Sequence, residues 1–527
     1  MAFKNRTWLR LLVLVVVAAF LVWQWWRYPP SSPPDASAAA PASAMTASVA
    51  AATSTATWQR GSLTLHPCTI GGAAEGGRGA SVEAWCKRFD VPEDRSHPQG
   101  RHIQLHLAVI RAESENPVSD MVVFLAGGPG EAATHKAFLV AAFPKLHQHH
   151  DFLLLDQRGT GKSNPLSCKT ESDAKGMPGT FDAEQLRRQA KACLEQVQKR
   201  ADPRFYTTTA AVADLEAVRE ALGSPKFDLI GTSYGTRMAL QYLRAHPEGV
   251  RSVVLDSPVP NQVVLGQDFA RSLQDALVKD FALCTNDPAC RKRFGDPMHS
   301  LKLLRHALAA NPHMVNTRNP WSYKPEKQAL TAQTLASVVR LFAYSRATIQ
   351  LLPLTIDAAA HGDVGPLLGQ YALLKESLSG RHLNQGMNWS VICAEDADMM
   401  QPRKADADTL LGNRMVKTYA AICSVWPSGK RPANFHQPDT SDKPVLILSG
   451  ALDPVTPPAY GQMVLKHLGN ARQIVFKGQA HGLITVGCAR NLMSQFILSG
   501  QSDKLDTACM KPMAPPAPFI NFNGAAP

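Results

Sequence analysis

The sequence predicts an α/β fold, a mostly parallel sheet covered by helices, with an inserted helical cap domain. Short apolar runs that end in turn residues alternate with helical stretches in the first half of the chain, at 102–109, 121–126, 152–155, 227–230 and 253–255. This alternation is typical of a parallel sheet. After residue 260 the pattern becomes helical with long loops, and strand patterns return at 445–448 and 473–476. We therefore expect one sheet that is interrupted by a helical insertion.

The same changes of pattern divide the chain into six segments. They are a signal anchor or signal peptide (1–28), a disordered linker rich in Ala, Ser and Pro (29–57), the first part of the core (58–260), the helical cap (261–430), the second part of the core (431–515) and a C-terminal tail (516–527).

The first segment has the features of a targeting sequence. Lys4, Arg6 and Arg10 flank an unbroken apolar run over 11–23. The length of this run does not decide between a cleaved signal peptide and an uncleaved anchor. A signal peptide has an apolar core of ~7–15 residues, and a membrane-spanning anchor needs ~17–25. The Trp and Tyr residues that follow favour an anchor over 8–26, because these side chains suit a membrane interface. Either way the chain is expected to be exported, to the periplasm or the cell surface.

Composition excludes several other classes of protein. The chain is 45% hydrophobic and 19% charged, as in globular enzymes. The net charge is +12, but the positive residues are scattered along the chain, so we expect no nucleic-acid partner.

An even number of cysteines in an exported chain indicates disulfides. Pairing sequence neighbours would give five local bridges, but connectivity stays open, and buried free thiols are the alternative. No C-x-x-C spacing occurs, so neither a zinc site nor a redox motif is expected. No cofactor and no other metal site are predicted. The cysteines are Cys68, Cys86, Cys168, Cys193, Cys284, Cys290, Cys393, Cys423, Cys488 and Cys509.

The strongest motif is Gly-Thr-Ser-Tyr-Gly over 231–235, between a strand pattern and a helix pattern. This strand–turn–helix context is that of a nucleophile elbow, which lifts a serine hydroxyl above the sheet. The glycines permit the sharp turn, and the helix N-terminus favours developing negative charge. Ser233 is therefore the predicted nucleophile.

A serine nucleophile needs a base and an acid that orients the base. Asp453 and His481 each follow a predicted strand, and they occur in the order expected for such a fold. Both would lie at the carboxyl ends of strands, where open α/β sheets place their sites. Asp256, which follows the strand pattern 253–255, is the rival acid.

Two further loops are expected around this site. Glycines at 127, 128 and 130 suit an oxyanion loop, so Gly128 and Tyr234 are the predicted N–H donors. Residues 156–163 end like a phosphate-binding loop, but Asp156 stands where the first glycine is needed and no helix clearly follows. We expect Asp156 and Arg158 to organise loops instead.

These motifs together resemble the proline iminopeptidase and tripeptidyl aminopeptidase family of α/β-hydrolases. The resemblance covers about 58–509, and the two ends are similar to the larger tripeptidyl aminopeptidase branch. The matching pieces are 127–130, 156–163, 214–219, 231–236, 452–456 and 480–482. The resemblance implies the triad Ser233, Asp453 and His481, a helical cap, no metal, and peptide substrates that are cut from free N-termini.

An enzyme of this kind must hold a free ammonium group, and a carboxylate is the physical means. Glu395 is the first candidate, because the family carries an acidic residue after a similar segment and a Cys393–Cys423 bridge would hold it. Glu131 is the second, and it departs from the neutral residue expected beside the oxyanion loop. Two alternatives stay open: an esterase or amidase for small molecules, and a non-catalytic binding protein on a hydrolase scaffold.

Overall fold

The computed structural model describes residues 56–72, 80–168, 181–378, 383–515 and 517–525. The predicted N-terminal anchor or signal peptide, and all of the linker up to residue 55, lie outside these ranges. Thr55–Pro527 groups as one compact unit. Within the described ranges, no helix combines the length and the apolar character needed to cross a membrane.

A ten-stranded sheet forms the centre of this unit, in the order β1-β2-β3-β4-β6-β5-β7-β8-β11-β12. From β6 to β12 neighbouring strands are parallel, whereas β1 to β4 pair antiparallel and β4 pairs antiparallel with β6. Two hairpins, β9–β10 and β13–β14, lie outside the sheet. The strands are β1 (Trp58–Arg60), β2 (Leu63–Gly71), β3 (Ser81–Pro92), β4 (His102–Ile110), β5 (Met121–Leu125), β6 (Phe152–Leu155), β7 (Phe227–Thr232), β8 (Val250–Asp256), β9 (His313–Arg318), β10 (Pro325–Leu330), β11 (Val445–Gly450), β12 (Ala471–Phe476), β13 (Phe519–Asn521) and β14 (Gly524–Ala525).

The central strands are apolar on both faces because helices cover the sheet on each side. Along β5, Val123 and Leu125 pack into one core cluster, and Val122 and Phe124 pack into the cluster on the opposite face. This alternation follows from the period of two residues in a strand. The helices are α1 (Pro144–His147), α2 (Ala183–Gln198), α3 (Thr208–Ala221), α4 (Tyr234–Ala245), α5 (Phe269–Asn286), α6 (Pro288–Phe294), α7 (Pro297–Ala310), α8 (Ala332–Phe342), α9 (Arg346–Ile349), α10 (Leu352–Ala360), α11 (Gly365–Leu378), α12 (Gln385–Glu395), α13 (Arg414–Cys423), α14 (Pro458–Leu465) and α15 (Gly487–Ser499).

The insertion lies between β8 and β11, which are parallel neighbours in the sheet. It holds α5 to α13 and has an apolar core of its own, to which Leu277, Leu304, Val339, Ile356 and Leu367 contribute. The predicted interruption of one sheet by a helical cap is therefore confirmed. Because β8 and β11 are parallel, the chain leaves the sheet at the carboxyl end of β8 and crosses to the opposite edge before it enters β11.

Some elements differ from the prediction. The cap also contains the β9–β10 hairpin, where the sequence predicted only helices and loops; β9 is largely exposed and has no buried face to give an apolar signal. β1 to β3 were missed because they are short or half-exposed. In the insertion the sequence predicts helices over 272–283, 300–309, 330–344, 351–360 and 406–421. The structure adds α6, α9, α11 and α12, and the last of the predicted helices, α13, begins at Arg414.

Five disulfides join the ten cysteines, each pairing neighbours in the sequence. They are Cys68–Cys86, Cys168–Cys193, Cys284–Cys290, Cys393–Cys423 and Cys488–Cys509. Local pairing is therefore the connectivity in this structure, and the alternative of buried free thiols is set aside.

Candidate active site

Ser233 stands alone between the end of β7 and the first residue of α4. Its backbone has φ 57° and ψ −125°, in a region that favours glycine. A non-glycine residue there stores roughly 1–3 kcal/mol of strain. The turn also needs its glycines: a Cβ on Gly231 would lie 2.6 Å from the carbonyl oxygen of Gly235, and one on Gly235 would lie 2.1 Å from that of Leu125. The sequence thus folds into a tight turn with the half-buried Ser233 side chain at its apex.

His481 and Asp453 form a direct pair at the ends of β12 and β11. The Nδ1 atom of His481 lies 2.8 Å from Oδ2 of Asp453, and the histidine side chain is 10% exposed. Asp453 also accepts backbone N–H groups of Val455 and Thr456 and the hydroxyl of Thr456. With both oxygens engaged, the carboxylate is fixed in place. It can hold Nδ1–H of the imidazole and leave Nε2 free to accept a proton.

The electrostatics of this pair follow from its surroundings. Burial alone would lower the pKa of His481, but the Asp453 carboxylate reverses that effect and raises the pKa above its usual value, with smaller contributions from Asp256 and Glu131. Burial alone would raise the pKa of Asp453, whereas His481 and the hydrogen bonds from Val455 and Thr456 lower it. Asp453 therefore stays ionised, and His481 becomes neutral, and competent as a base, only above its raised pKa.

The end of β8 joins the serine turn to the histidine loop. The Ser233 N–H donates to the carbonyl oxygen of Asp256 at 2.9 Å. The carboxylate of Asp256 accepts the N–H groups of Leu483 (2.7 Å) and Ile484 (2.9 Å). The side chain of Asp256, the rival acid, thus binds the backbone of the loop that carries His481. The imidazole itself is contacted by Asp453.

The glycine loop after β5 packs against the serine. A Cβ on Gly127 would lie 3.3 Å from the Ser233 Cβ, and Gly128 has φ +108°, which a residue with a side chain rarely adopts. Tyr234 is the first residue of α4, so its N–H has no partner within the helix. The two predicted oxyanion donors, Gly128 and Tyr234, therefore lie on the two segments that flank Ser233.

The cap holds both sides of this site. The Asn384 N–H and side-chain amide donate to the carbonyl oxygen of Gly130, and Asn388 donates to that of Pro129. On the other side, the His481 N–H donates to the carbonyl oxygen of Tyr344 at 3.1 Å, and the two rings meet edge to face with centroids 5.2 Å apart. Cap residues thus contact both the glycine loop and His481.

The loop after β6 has the organising role expected of it. The buried Asp156 carboxylate accepts the N–H and hydroxyl of Thr134, just beyond the glycine loop, and the N–H of Lys162. Arg158 is fully buried and binds Asp214 with two hydrogen bonds of 2.6 and 2.7 Å. These contacts fix the loop that follows β6 against the segment beyond the glycine loop.

Glu131 and Glu395 occupy very different places. The Glu131 side chain is 34% exposed, lies beside Gly127 and pairs with Lys136 at 3.1 Å. Glu395 is wholly buried and accepts the N–H and hydroxyl of Thr208 at 2.6 and 2.9 Å. Burial raises the pKa of Glu395 to about 7, although the neighbouring Arg237 opposes this. Glu131 is therefore partly open to solvent, whereas Glu395 is enclosed in this conformation.

The Glu395 network reaches Tyr234, the neighbour of Ser233 in the chain. The hydroxyl of Thr208 also meets the hydroxyl of Tyr234 at 2.7 Å, and Tyr234 accepts a hydrogen bond from Gln157. This chain of polar groups fixes Tyr234, the residue after Ser233.

Within the described ranges, Glu216, His246 and Glu248 bring three possible metal-ligating atoms together. Glu216 already binds Arg219 and the hydroxyl of Tyr242, so ion pairing accounts for this cluster. Histidines other than His481, including His150, are predicted from the sequence to lie at the surface. His150 is buried instead, and burial lowers its pKa.

Sequence reasoning missed two residues of the site. Thr456 is three residues after Asp453, a spacing at which hydroxyl and carboxylate side chains commonly share a turn, and that signal was present. Tyr344 lies in the cap, more than a hundred residues from His481 in the sequence, and no local pattern indicates its position.

Comparison with known proteins places this geometry in context. The family described as alpha/beta hydrolase fold matches residues 120–487. Over 471 residues the chain is 25% identical to the serine protease Hip1 of Mycobacterium tuberculosis, covering 81% of this chain and 87% of that protein. It is 25% identical over 484 residues to the tripeptidyl aminopeptidase of Streptomyces lividans, covering 82% and 84%. A segment of 145 residues is 31% identical to the proline iminopeptidase of Neisseria gonorrhoeae, covering 27% and 34%.

Proposed function

Because the chain belongs to the alpha/beta hydrolase family, we propose that it is an exported serine peptidase that releases residues or short peptides from free N-termini. The observation that carries the proposal is the Asp453–His481 pair, attached through the end of β8 to the turn that presents Ser233. The names of the two relatives that match over most of their length, a serine protease and a tripeptidyl aminopeptidase, support peptides as substrates. Five disulfides support an oxidising compartment, in agreement with the N-terminal targeting pattern.

In the proposed reaction, Nε2 of His481 takes the proton of Ser233 as the serine oxygen attacks the scissile carbonyl carbon. The N–H groups of Gly128 and Tyr234 receive the negative charge that develops on the carbonyl oxygen. His481 then gives the proton to the leaving amine, and an acyl-enzyme remains. Water, activated by the same imidazole, releases the acyl product.

A panel of chromogenic substrates tests this proposal. Single-residue and tripeptidyl p-nitroanilides, each with a free and an acetylated N-terminus, are compared with short-chain p-nitrophenyl esters. We expect cleavage of the free-N-terminus anilides to dominate. Hydrolysis of the esters alone would establish a small-molecule esterase. The absence of any turnover, together with no labelling by a fluorophosphonate, would establish a binding protein.

We propose that Glu131 binds the substrate ammonium group. Glu131→Gln removes the charge and keeps the shape, so KM for free-N-terminus substrates should rise about tenfold, the worth of one charge-assisted hydrogen bond. kcat/KM for acetylated substrates or esters should stay nearly unchanged. Steady-state kinetics on the matched substrates measures the difference.

Two matched variants sharpen this test. Lys136→Gln frees Glu131 from its present partner and should lower KM for the same substrates. Glu395→Gln alters the enclosed carboxylate and should affect free and blocked substrates equally. If Glu395→Gln alone discriminated between them, the buried carboxylate would be the ammonium site.

We also expect Tyr344 to position the base. Tyr344→Ala removes the ring that shields His481 and keeps the backbone carbonyl that binds it. Water then reaches the imidazole of His481, and the lowering of its pKa by burial becomes smaller. The pKa of His481 therefore rises, and the acidic limb of the kcat/KM profile should move to higher pH. The charged groups that face the imidazole of His481 are unchanged by this substitution. They are Asp453, Asp256 and Glu131.

In the same variant kcat should fall by about 10- to 100-fold, the size expected for a misplaced catalytic group. Tyr344→Phe keeps the ring and should behave like the parent enzyme in both respects. A lowered kcat with an unshifted pH profile in Tyr344→Ala would reduce the role of Tyr344 to general packing.

A further inference from the structure

The β9–β10 hairpin ends in an exposed aromatic tip, which we define as residues 319–324. Trp321 is 65% exposed and Tyr323 is 74% exposed. Two neighbouring aromatic rings that contact so little of their own chain are uncommon on a folded protein, where such patches usually mark an interaction site.

The tip is held in one shape by its own hydrogen bonds. The side-chain oxygen of Asn319 accepts the N–H groups of Trp321 and Ser322, both at 3.0 Å, and its carbonyl oxygen accepts the N–H of Tyr323 at 2.9 Å. The Asn319 N–H in turn donates to the carbonyl oxygen of Lys324. The rings are therefore displayed on a preformed turn.

Tyr323 has φ 55°, a conformation that favours glycine. A bulky residue is strained there, and packing within the chain offsets little of that strain because three quarters of the residue faces solvent. Strained backbone of this kind persists most often where a side chain serves a function. The turn would fold more easily with glycine at this position. We therefore attribute the presence of a tyrosine to the exposed position of its ring.

The surroundings of the tip are basic. Arg318, Lys324 and Lys327 are exposed, and Glu326, the single acidic residue within the hairpin 313–330, is half-buried and bonded to Gln328. Aromatic rings beside cations match the headgroup region of an anionic bilayer, which accepts the polar edges of Trp and Tyr and attracts positive charge.

The size of the tip favours a lipid surface over a protein partner. Two aromatic side chains bury at most about 300–500 Å² together. A stable protein interface needs roughly 800 Å² from each side. From these observations we propose that the β9–β10 tip docks onto an anionic lipid bilayer, with the rings of Trp321 and Tyr323 at the level of the headgroups.

A fluorescent reporter at the tip tests this directly in the full-length chain. All ten native cysteines are paired, so Ser322→Cys supplies a single thiol for an environment-sensitive dye. Added vesicles that contain phosphatidylglycerol should shift the dye emission to shorter wavelength and increase it, whereas phosphatidylcholine vesicles should not. Ser499→Cys, exposed at the end of α15, is the control and should not respond, whatever the N-terminal segment does.

Variants in the labelled background identify the groups responsible. Trp321→Ala and Tyr323→Gly should each abolish the response, and Tyr323→Gly should keep or raise the thermal unfolding midpoint because it relieves the strained turn. Lys324→Gln and Lys327→Gln should each weaken vesicle binding about fivefold. All four variants should cleave soluble substrates like the parent protein.

Three results would overturn the proposal. One is a dye that ignores both kinds of vesicle, and another is an equal response to neutral and anionic lipid. The third is a spectral shift that grows with protein concentration without vesicles, which would assign the tip to contact with a second copy of the chain.

Discussion

Replacing Ser233 with alanine should lower kcat by about a millionfold, with the fold intact. The hydroxyl is the only group of Ser233 that this substitution removes, and the remaining oxyanion donors and binding contacts retain a small residual rate. The turn itself depends on Gly231 and Gly235, which approach neighbouring backbone too closely for any side chain. Steady-state kinetics with a free-N-terminus anilide measures the loss, and circular dichroism checks the fold.

Ser257 provides the matched control. It is buried at the same edge of the sheet, also has a positive φ of 58°, and its hydroxyl accepts the N–H of Gly482. A fluorophosphonate should label the parent protein and Ser257→Ala with equal stoichiometry, even where loss of the Gly482 contact slows turnover. Labelling that survives in Ser233→Ala would contradict the assignment of the nucleophile.

The central strands and the serine turn could be predicted because their signals are local. The apolar run that ends at residue 230 and the glycines around Ser233 fix a strand and a sharp turn within about ten residues. Asp453 and His481 each follow a strand in the same way, and the parallel arrangement then brings these strand ends to one edge of the sheet.

Contacts between distant segments could not be predicted in this way. Nothing near Tyr344 in the sequence indicates that it packs on His481, because the cap helices set that position. Glu395 shows the same limit: its neighbours in the sequence resemble a substrate site, yet the fold encloses its carboxylate against Thr208. Burial, which decides the role of a carboxylate, is a property of the tertiary structure.

The second large effect is expected at Asp453, where Asp453→Asn should lower kcat about 10⁴-fold with little change in KM. The carboxylate accepts Nδ1–H of His481, and thereby keeps Nε2 free to receive the serine proton. An amide that turns its NH₂ group toward Nδ1 would favour the other tautomer, in which Nε2 carries the hydrogen and cannot act as a base. Steady-state kinetics measures kcat, and the unfolding transition confirms that the loop after β11 is retained.

Asp256→Asn separates the two acids. Asp256 holds the histidine loop through the N–H groups of Leu483 and Ile484, so its replacement should loosen the loop and lower the unfolding midpoint. Its effect on kcat should be much smaller than that of Asp453→Asn, because no tautomer of His481 is disfavoured. The reverse order of the two effects on kcat would make Asp256 the acid that orients the base. The hydrogen bond between Asp453 and His481 would then be a resting-state contact that the reaction does not use.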